Sequence, residues 1–266
     1  MGAVETDSFQ PVTVGAVEPG SVIVAADVFA PVTVLATGAT AAPPPDPVLP
    51  TDDAAMWLRA ADLAGLAGSP IDEMLDASGN GRSMSQGTAG ARPTVVGSGA
   101  SKAARFDGLN DFLQRTDDAF DSTYFTLAMR FSHVALPVGY SSPFGKTTND
   151  GWGNGFGCYY IGGELNCWVN VWDAAQSLLA LPTAAAGTVQ TLVFAVAGDG
   201  VRLHLNGADT SKPYSSGQVN KNPGVALRLG MTWTVYNANI DVQQLVWWDR
   251  GLSADEVAQV VAQFDS

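Results

Sequence analysis

The chain has 266 residues, of which 46% are hydrophobic, and its formal net charge at pH 7 is −13. The apolar fraction is sufficient for a large buried core, and the frequent Gly and Pro residues favour an all-β fold with many turns. An acidic surface repels the phosphate backbone of nucleic acids, so we do not expect this chain to bind DNA or RNA. No apolar stretch approaches the roughly 20 residues that cross a bilayer as a helix, which argues against membrane insertion.

A ten-residue segment near the N-terminus occurs twice. Residues 7–16 and 27–36 agree at seven of ten positions, and a proline-rich linker, residues 43–53, separates them from the rest. Strands this short cannot bury enough surface to be stable alone. We therefore predict that residues 1–42 form an extended β-rich arm that anchors the protein to a partner, and that residues 54–266 form the globular domain. The expected anchoring residues are Phe9, Pro11, Val12, Val14, Phe29, Pro31, Val32 and Val34.

A β-hairpin with a two-residue turn is predicted around Gly162-Gly163. Counting outward from this turn places Cys158 opposite Cys167, at a separation that permits a disulfide. Two unbonded cysteines in the core are the alternative, because the N-terminus lacks a standard secretory signal and a reducing compartment follows.

The same register assigns the hairpin side chains to two faces. One face is apolar and belongs to the core. The other combines aromatic rings with amides and a carboxylate, which suits a sugar because rings stack on its apolar faces while polar groups pair with its hydroxyls. Burial of the tryptophans under a loop or a second subunit is the alternative. The predicted ligand-binding residues are Tyr159, Glu164, Asn166, Trp168, Asn170 and Trp172.

The C-terminal residues predict a strand over 241–250 and a helix after it. Ser253 and Glu256 have the spacing of a capping box, and Leu252 with Val257 forms a hydrophobic staple. Apolar residues at helical spacing then mark one buried face of a short C-terminal helix.

The C-terminal strand, turn and helix resemble the end of laminin-G-like, concanavalin A-like jelly-roll domains. Four further segments resemble that family in the same order: residues 56–63 its opening strand, 76–81 its Asp-x-Ser-Gly-Asn-Gly turn, 105–113 its Phe-Asp-Gly hairpin, and 200–207 its late strand. The resemblance implies an antiparallel two-sheet jelly-roll sandwich over residues 54–266 that binds sugars or proteins.

Several members of this family hold calcium. Asp107, Asn110 and Asp111 offer oxygen atoms for such an ion, although Asp and Asn are also common in turns for reasons of backbone hydrogen bonding. No specific motif supports calcium, and we expect no other metal or cofactor.

No catalytic site is expected. The chain lacks the Glu-x-Asp-x-x-Glu motif of laminarinase-like hydrolases, and its two histidines, His133 and His204, lie in unrelated segments. Gly97-Ser98-Gly99 lacks the strand and helix that flank a serine nucleophile.

These features lead to a functional hypothesis. A lectin-like head on an anchoring arm is expected of a bacteriophage capsid-decoration or fibre protein, made in the host cytoplasm and displayed on the virion surface. Its expected partners are capsid or other assembly proteins, copies of itself, and glycans of cells or mucus. The alternatives are a bacterial cell-surface adhesin, which would be extracellular, and a glycoside hydrolase.

Overall fold

The computed structural model describes residues 53–148, 154–169, 178–213, 222–232 and 235–265, all within the unit of the chain that spans residues 47–266. Short 3₁₀ helices cover Ala60–Asp62, Ala89–Ala91, Gly99–Ser101 and Asp118–Asp121, and the α-helix α1 covers Ala254–Asp265. The strands are β1 (Met56–Arg59), β2 (Glu73–Met74), β3 (Met84–Ser85), β4 (Thr94–Val96), β5 (Ala103–Asp107), β6 (Leu113–Arg115), β7 (Phe125–His133), β8 (Ser141–Lys146), β9 (Phe156–Ile161), β10 (Glu164–Val169), β11 (Leu178–Pro182), β12 (Val189–Ala197), β13 (Gly200–Leu205), β14 (Ala208–Lys212), β15 (Leu227–Leu229), β16 (Met231–Thr232), β17 (Tyr236–Asn237) and β18 (Asn239–Trp248).

The strands form two large antiparallel sheets. Sheet 1 has the order β14-β13-β12-β7-β18-β5-β4, with β1 paired to β18 as well. Sheet 2 has the order β11-β10-β9-β8-β15-β6-β3-β2, and β16 and β17 form a separate two-stranded hairpin. The predicted all-β jelly-roll sandwich with a short C-terminal helix is thereby confirmed for the described residues. The arm, residues 1–42, lies outside them.

The core lies between the two sheets and is rich in aromatic rings. Phe125 of sheet 1 packs against Phe156 of sheet 2 with ring centroids 4.3 Å apart. Trp247 stacks on Phe125 at 4.7 Å and is itself completely buried. Inward-facing side chains alternate along each strand because successive residues point to opposite faces of a sheet, so rings from both sheets interdigitate.

Helix α1 covers the outer face of sheet 1. Its start is the predicted capping box: the Ser253 backbone N–H donates to Glu256 at 2.8 Å, and the Glu256 N–H donates to the Ser253 hydroxyl at 3.3 Å. Val260 and Phe264 on the inner side of the helix are fully buried against Trp248 of β18. The described helix is too short and insufficiently apolar to cross a membrane.

The β9–β10 hairpin has the predicted register. Ile161 lies opposite Glu164, and Cys158 lies opposite Cys167. The two cysteines form a disulfide, with Cα atoms 4.1 Å apart. Both cysteines face the core, as the alternation of side chains requires.

The Asp76 turn ties a surface loop to the first strand. The Asp76 carboxylate accepts hydrogen bonds from the backbone N–H groups of Trp57, Ser78 and Arg82 at 2.8 to 2.9 Å. These bonds hold the pKa of Asp76 below its usual value, despite the opposing effect of burial. Asn80 donates to the carbonyl of Ala55, which fixes the entry of the chain into the sandwich.

The Phe-Asp-Gly segment differs from the prediction, because it connects the two sheets and is not a hairpin. Strand β5 pairs with β4 and β18 in sheet 1, whereas β6 pairs with β3 and β15 in sheet 2. The Asp107 carboxylate accepts from the N–H groups of Leu109 and Asn110, and Asp111 accepts from the N–H of Asp107. These acidic side chains therefore stabilise the turn itself.

Candidate functional site

The predicted ligand residues of the β9–β10 hairpin lie on the outer face of sheet 2. Glu164 is exposed, whereas Tyr159, Asn166 and Trp168 are buried. Asn166 donates a hydrogen bond to the carbonyl of Glu164 at 3.3 Å. The structure thus brings these four residues together but leaves one of them open to solvent.

The remaining predicted site residues fall outside the described part of the chain. They are Asn170 and Trp172, together with the arm residues Phe9, Pro11, Val12, Val14, Phe29, Pro31, Val32 and Val34. Their roles stay predictions.

Trp168 is covered from within the same chain, so its ring does not offer an open platform for a sugar. Trp168 lies opposite Gly157, where a Cβ atom would come within 3.3 Å of the indole. Tyr236, in the β16–β17 hairpin, packs on the cluster formed by Tyr159 and Trp168. The same hairpin rests on β8, where a Cβ on Gly145 would lie 2.2 Å from the Thr232 hydroxyl. Glycines in two adjacent strands therefore make room for this cover.

Two further tyrosines meet this cluster at the surface. The ring of Tyr140 lies 5.5 Å from that of Tyr159 and 5.8 Å from that of Tyr236. Tyr140 is 45% exposed and Tyr236 is half-buried. We call Tyr140, Tyr159, Tyr236 and the adjacent Glu164 the tyrosine face.

The electrostatics of the tyrosine face favour the neutral form of Tyr159. Burial raises the pKa of Tyr159 above its usual value, and Tyr140 and the Glu164 carboxylate raise it further. The Tyr159 hydroxyl therefore keeps its proton at all physiological pH values. A neutral phenol both donates and accepts hydrogen bonds.

The chemistry of the tyrosine face matches the needs of a polyhydroxylated ligand. The exposed Tyr140 ring is a flat apolar surface on which the C–H face of a sugar ring can stack. Glu164 accepts hydrogen bonds from hydroxyl groups, and such charge-assisted bonds are stronger than neutral ones. Tyr140 and Tyr236 were not predicted as site residues because they lie outside the β9–β10 hairpin. The glycines within strands, Gly145 and Gly157, were the sequence signal that another element packs closely on this sheet.

Both histidines are buried within the protein. His133 is fully buried between Phe131 and Tyr160, and neither of its ring nitrogens has a hydrogen-bond partner among the described residues. Burial lowers the pKa of His133 to about 4, so the ring is neutral at pH 7.

His204 is bound on both sides of its ring. Its Nδ1 lies 2.8 Å from an Asp209 carboxylate oxygen, and its Nε2 accepts from the N–H of Gly207 at 3.2 Å. Neither nitrogen is left for proton transfer to a substrate. Within the described ranges, no group of three His, Cys, Asp or Glu residues could hold a metal ion.

Comparisons with known proteins identify the fold. No family model and no curated protein sequence matches the chain. Among solved structures, a sialidase from Trypanosoma rangeli in complex with sialic acid superimposes with a TM-score of 0.54 at 13% identity. The match covers 79% of this chain but 33% of the sialidase, so the chain spans about a third of that enzyme.

Two other similar structures are binding domains or parts of larger proteins. The binding domain of botulinum neurotoxin DC in complex with SialylT has a TM-score of 0.59 at 10% identity, covering 80% of this chain and 52% of that one. Domain 4 of AbnA, a GH43 extracellular arabinanase from Geobacillus stearothermophilus, in complex with arabinotriose, has a TM-score of 0.57 at 14% identity, covering 78% of this chain and 98% of the domain. At these identities the likeness establishes a shared β-sandwich fold, and function must be argued from the site.

Proposed function

We propose that this protein is a non-enzymatic glycan-binding protein whose globular domain contacts sugar through the tyrosine face. The observation that supports this most directly is the contact of Tyr140 with both Tyr159 and Tyr236, beside an exposed carboxylate. Similar folds solved with sialic acid, SialylT or arabinotriose support the class of ligand but not the position of the site.

In the proposed mode of binding, aromatic rings and polar groups contact different parts of the sugar. The C–H face of one sugar ring stacks on Tyr140, and Tyr236 lines the side of the same surface. The Glu164 carboxylate accepts hydrogen bonds from two neighbouring hydroxyls. Asn170 and Trp172, which follow β10 in the sequence, are proposed as additional contacts. No acid–base pair takes part.

The test of glycan binding is an array of immobilised glycans probed with the full-length protein. We expect selective binding to a subset of glycans and weaker signals for the Tyr140→Ala variant. Leu109→Ala, which removes a side chain that is 76% exposed on the Asp107–Asp111 turn, is the control and should bind like the parent. Failure of the parent protein to bind any glycan would overturn the proposal.

We further propose that the arm, residues 1–42, attaches the domain to a larger assembly. The repeated segment and the proline-rich linker support this, because two equivalent β-prone units suit repeated or quasi-equivalent partner surfaces. A virion surface is the proposed location, with capsid-decoration or fibre protein as the role, synthesis in the host cytoplasm and assembly as a homo-oligomer.

Deletion of residues 1–42 tests the anchoring role. We expect the shortened protein to keep the far-ultraviolet circular dichroism and melting temperature of the parent domain while it is lost from purified particles. Normal incorporation of the shortened protein would contradict anchoring by the arm.

A further inference from the structure

A second pocket lies at one end of the sandwich, where three chain segments meet. The segments are the end of the 3₁₀ helix before β7, the β12–β13 turn and the β18–α1 turn, and the volume between them is about 400 Å³. This volume is within the range of small-molecule sites. The residues that line it include Ser122, Thr123, Tyr124, Gly198, Asp249 and Arg250.

The β18–α1 side of the pocket is held rigidly. The Thr126 hydroxyl donates to the carbonyl of Arg250 at 3.1 Å and accepts from the N–H of Leu252 at 2.9 Å. Gly251 packs so closely on β12 that a Cβ atom would lie 2.5 Å from the Ala197 side chain. The pocket is therefore preorganised, which lowers the entropic cost of binding a ligand.

Arg250 is fixed in place by two carboxylates. Its guanidinium lies 2.7 Å from Asp53 and 2.7 Å from Glu256. The hydrogen bond from Arg250 lowers the pKa of Glu256 to about 2, so this ion pair persists across physiological pH. Arg250 thus contributes a positive charge to the pocket wall without being available as an anion receptor.

Two groups in the pocket remain available to a ligand. Tyr124 is 41% exposed, and its hydroxyl lies close to Gly198, which has no side chain to obstruct the ring. Asp249 is exposed, and within the described part of the chain its carboxylate has neither a hydrogen bond nor an ion pair. Ser122 and Thr123 line the same space, and the Ser122 hydroxyl already donates to the carbonyl of Ala119 at 3.2 Å.

From this arrangement we infer that the pocket of Tyr124 and Asp249 is a second binding site, for one uncharged hexose residue of a glycan. The Asp249 carboxylate accepts hydrogen bonds from adjacent sugar hydroxyls, and the sugar ring rests against Tyr124. An acidic sugar is disfavoured by repulsion from Asp249. A cationic ligand is the competing occupant, because Arg250 is already paired with Asp53 and Glu256 and does not neutralise Asp249.

A larger groove in the described structure fits a sugar less well. It lies between α1 and strands β13 and β14, has a volume of about 500 Å³, and is lined on the helix side by alanine and valine. No Tyr, Trp or Phe lines this groove, and its His204 is already bound to Asp209. The smaller pocket therefore combines more of the groups that bind sugars.

The pocket is separate from the tyrosine face, and the proposed binding in the pocket does not depend on binding at the tyrosine face. The test is an NMR titration of the ¹⁵N-labelled full-length protein with the methyl glycosides of glucose, galactose and mannose. We expect at least one of them to shift the amide signals of residues 122–124 and 249–251 in a saturable manner. Asp249→Asn should weaken this binding about tenfold, which is the loss expected for a charge-assisted hydrogen bond.

Matched variants separate the two sites. Tyr124→Ala should abolish the shifts at the pocket, whereas Tyr140→Ala and the exposed-acid control Asp255→Asn should leave them unchanged. The inference is overturned if none of the three glycosides shifts the pocket signals, or if N-acetylneuraminic acid or lysine methyl ester shifts them more strongly. Binding that depends on Tyr140 and not on Tyr124 would overturn this inference while supporting the tyrosine face; the reverse result would support the pocket alone.

Discussion

The outer faces of the two sheets are both covered, but by different means. On sheet 1 a whole helix, α1, packs aliphatic residues and Phe264 onto Trp248, and these rings are completely buried. On sheet 2 the short β16–β17 hairpin covers Trp168 but leaves Tyr140 at the surface. An aromatic residue at an outward strand position is thus a poor guide to a binding site, because the element packed above it decides its exposure.

The two covers also differ in polarity. The cluster under α1 consists of hydrophobic side chains, so burial is its main contribution to stability. The cluster on sheet 2 includes tyrosines, and each tyrosine side chain combines an apolar ring with a polar hydroxyl. We therefore expect the sheet 1 face to control stability and the sheet 2 face to control sugar binding at the tyrosine face.

Phe264→Ala should have the largest effect on stability. The side chain is fully buried, and truncation of a buried phenylalanine costs about 3–5 kcal/mol. Urea unfolding should show this loss, while glycan affinity measured where the variant is folded stays unchanged. Val261→Ala on the same helix is half-buried and should cost about 1 kcal/mol. A strong loss of glycan affinity in Phe264→Ala would contradict the division between the two faces.

The core shared by both faces should make stability depend on pH through His133. Its pKa falls from 6.5 to about 4 on folding. The free energy of unfolding is therefore highest above pH 6.5 and decreases as the pH falls toward 4. The full loss is on the order of 3 kcal/mol. His133 should account for about 2 kcal/mol of the difference in unfolding free energy between pH 7 and pH 5, because pH 5 is still above its folded pKa. Urea unfolding at the two pH values measures this difference, and His133→Phe should reduce it.

Asp111 should change the stability with pH in the direction opposite to His133. Burial and the nearby Asp107 carboxylate raise its pKa from 3.8 to about 6, so protonation below pH 6 favours the folded state. Asp111→Asn should therefore steepen the loss of stability between pH 6 and 4. Equal pH dependence in the parent and both variants would refute these assignments.

Gly145→Ala should affect stability less but should also weaken binding. The added methyl group would collide with Thr232 and displace the β16–β17 hairpin, at a cost of about 1–3 kcal/mol. Since Tyr236 belongs to that hairpin, glycan affinity should fall with stability. Gly87→Ala is the matched control, because a Cβ there meets nothing within 4 Å. Unchanged affinity in Gly145→Ala would show that the hairpin does not position the site.

Ser253→Ala should have the smallest effect. Loss of the capping hydrogen bond to the Glu256 N–H should cost about 1 kcal/mol in the free energy of unfolding. Ser253→Asp, which preserves the cap, should restore most of this stability in thermal melts. Glycan affinity at the tyrosine face should be unchanged in both variants, because the cap belongs to helix α1, which covers sheet 1.

Local sequence patterns predicted the elements whose geometry is set by neighbouring residues. The two glycines at 162–163 fix the β9–β10 register, and therefore the facing of Cys158 and Cys167. The Ser253 cap likewise places the start of α1 correctly. In each case the interacting groups are within about ten residues of each other.

Long-range packing was not predictable in the same way. The separation of β5 and β6 into different sheets depends on distant strands, so the turn at Asp107 suggested a hairpin. Burial of Trp168 depends on a hairpin more than sixty residues further along the chain. Tyr140 and Tyr236 meet for the same reason, and no periodicity in either segment connects them.

The most direct test of the central claim is the affinity of the full-length protein and its Tyr140→Ala variant for the glycan that binds best on the array, by isothermal titration calorimetry. Loss of one stacked aromatic ring should weaken binding about tenfold. We expect this weakening with at most a small decrease in melting temperature, because Tyr140 is 45% exposed and lies outside the core between the sheets. Equal affinities for the parent and the variant would contradict sugar binding at the tyrosine face.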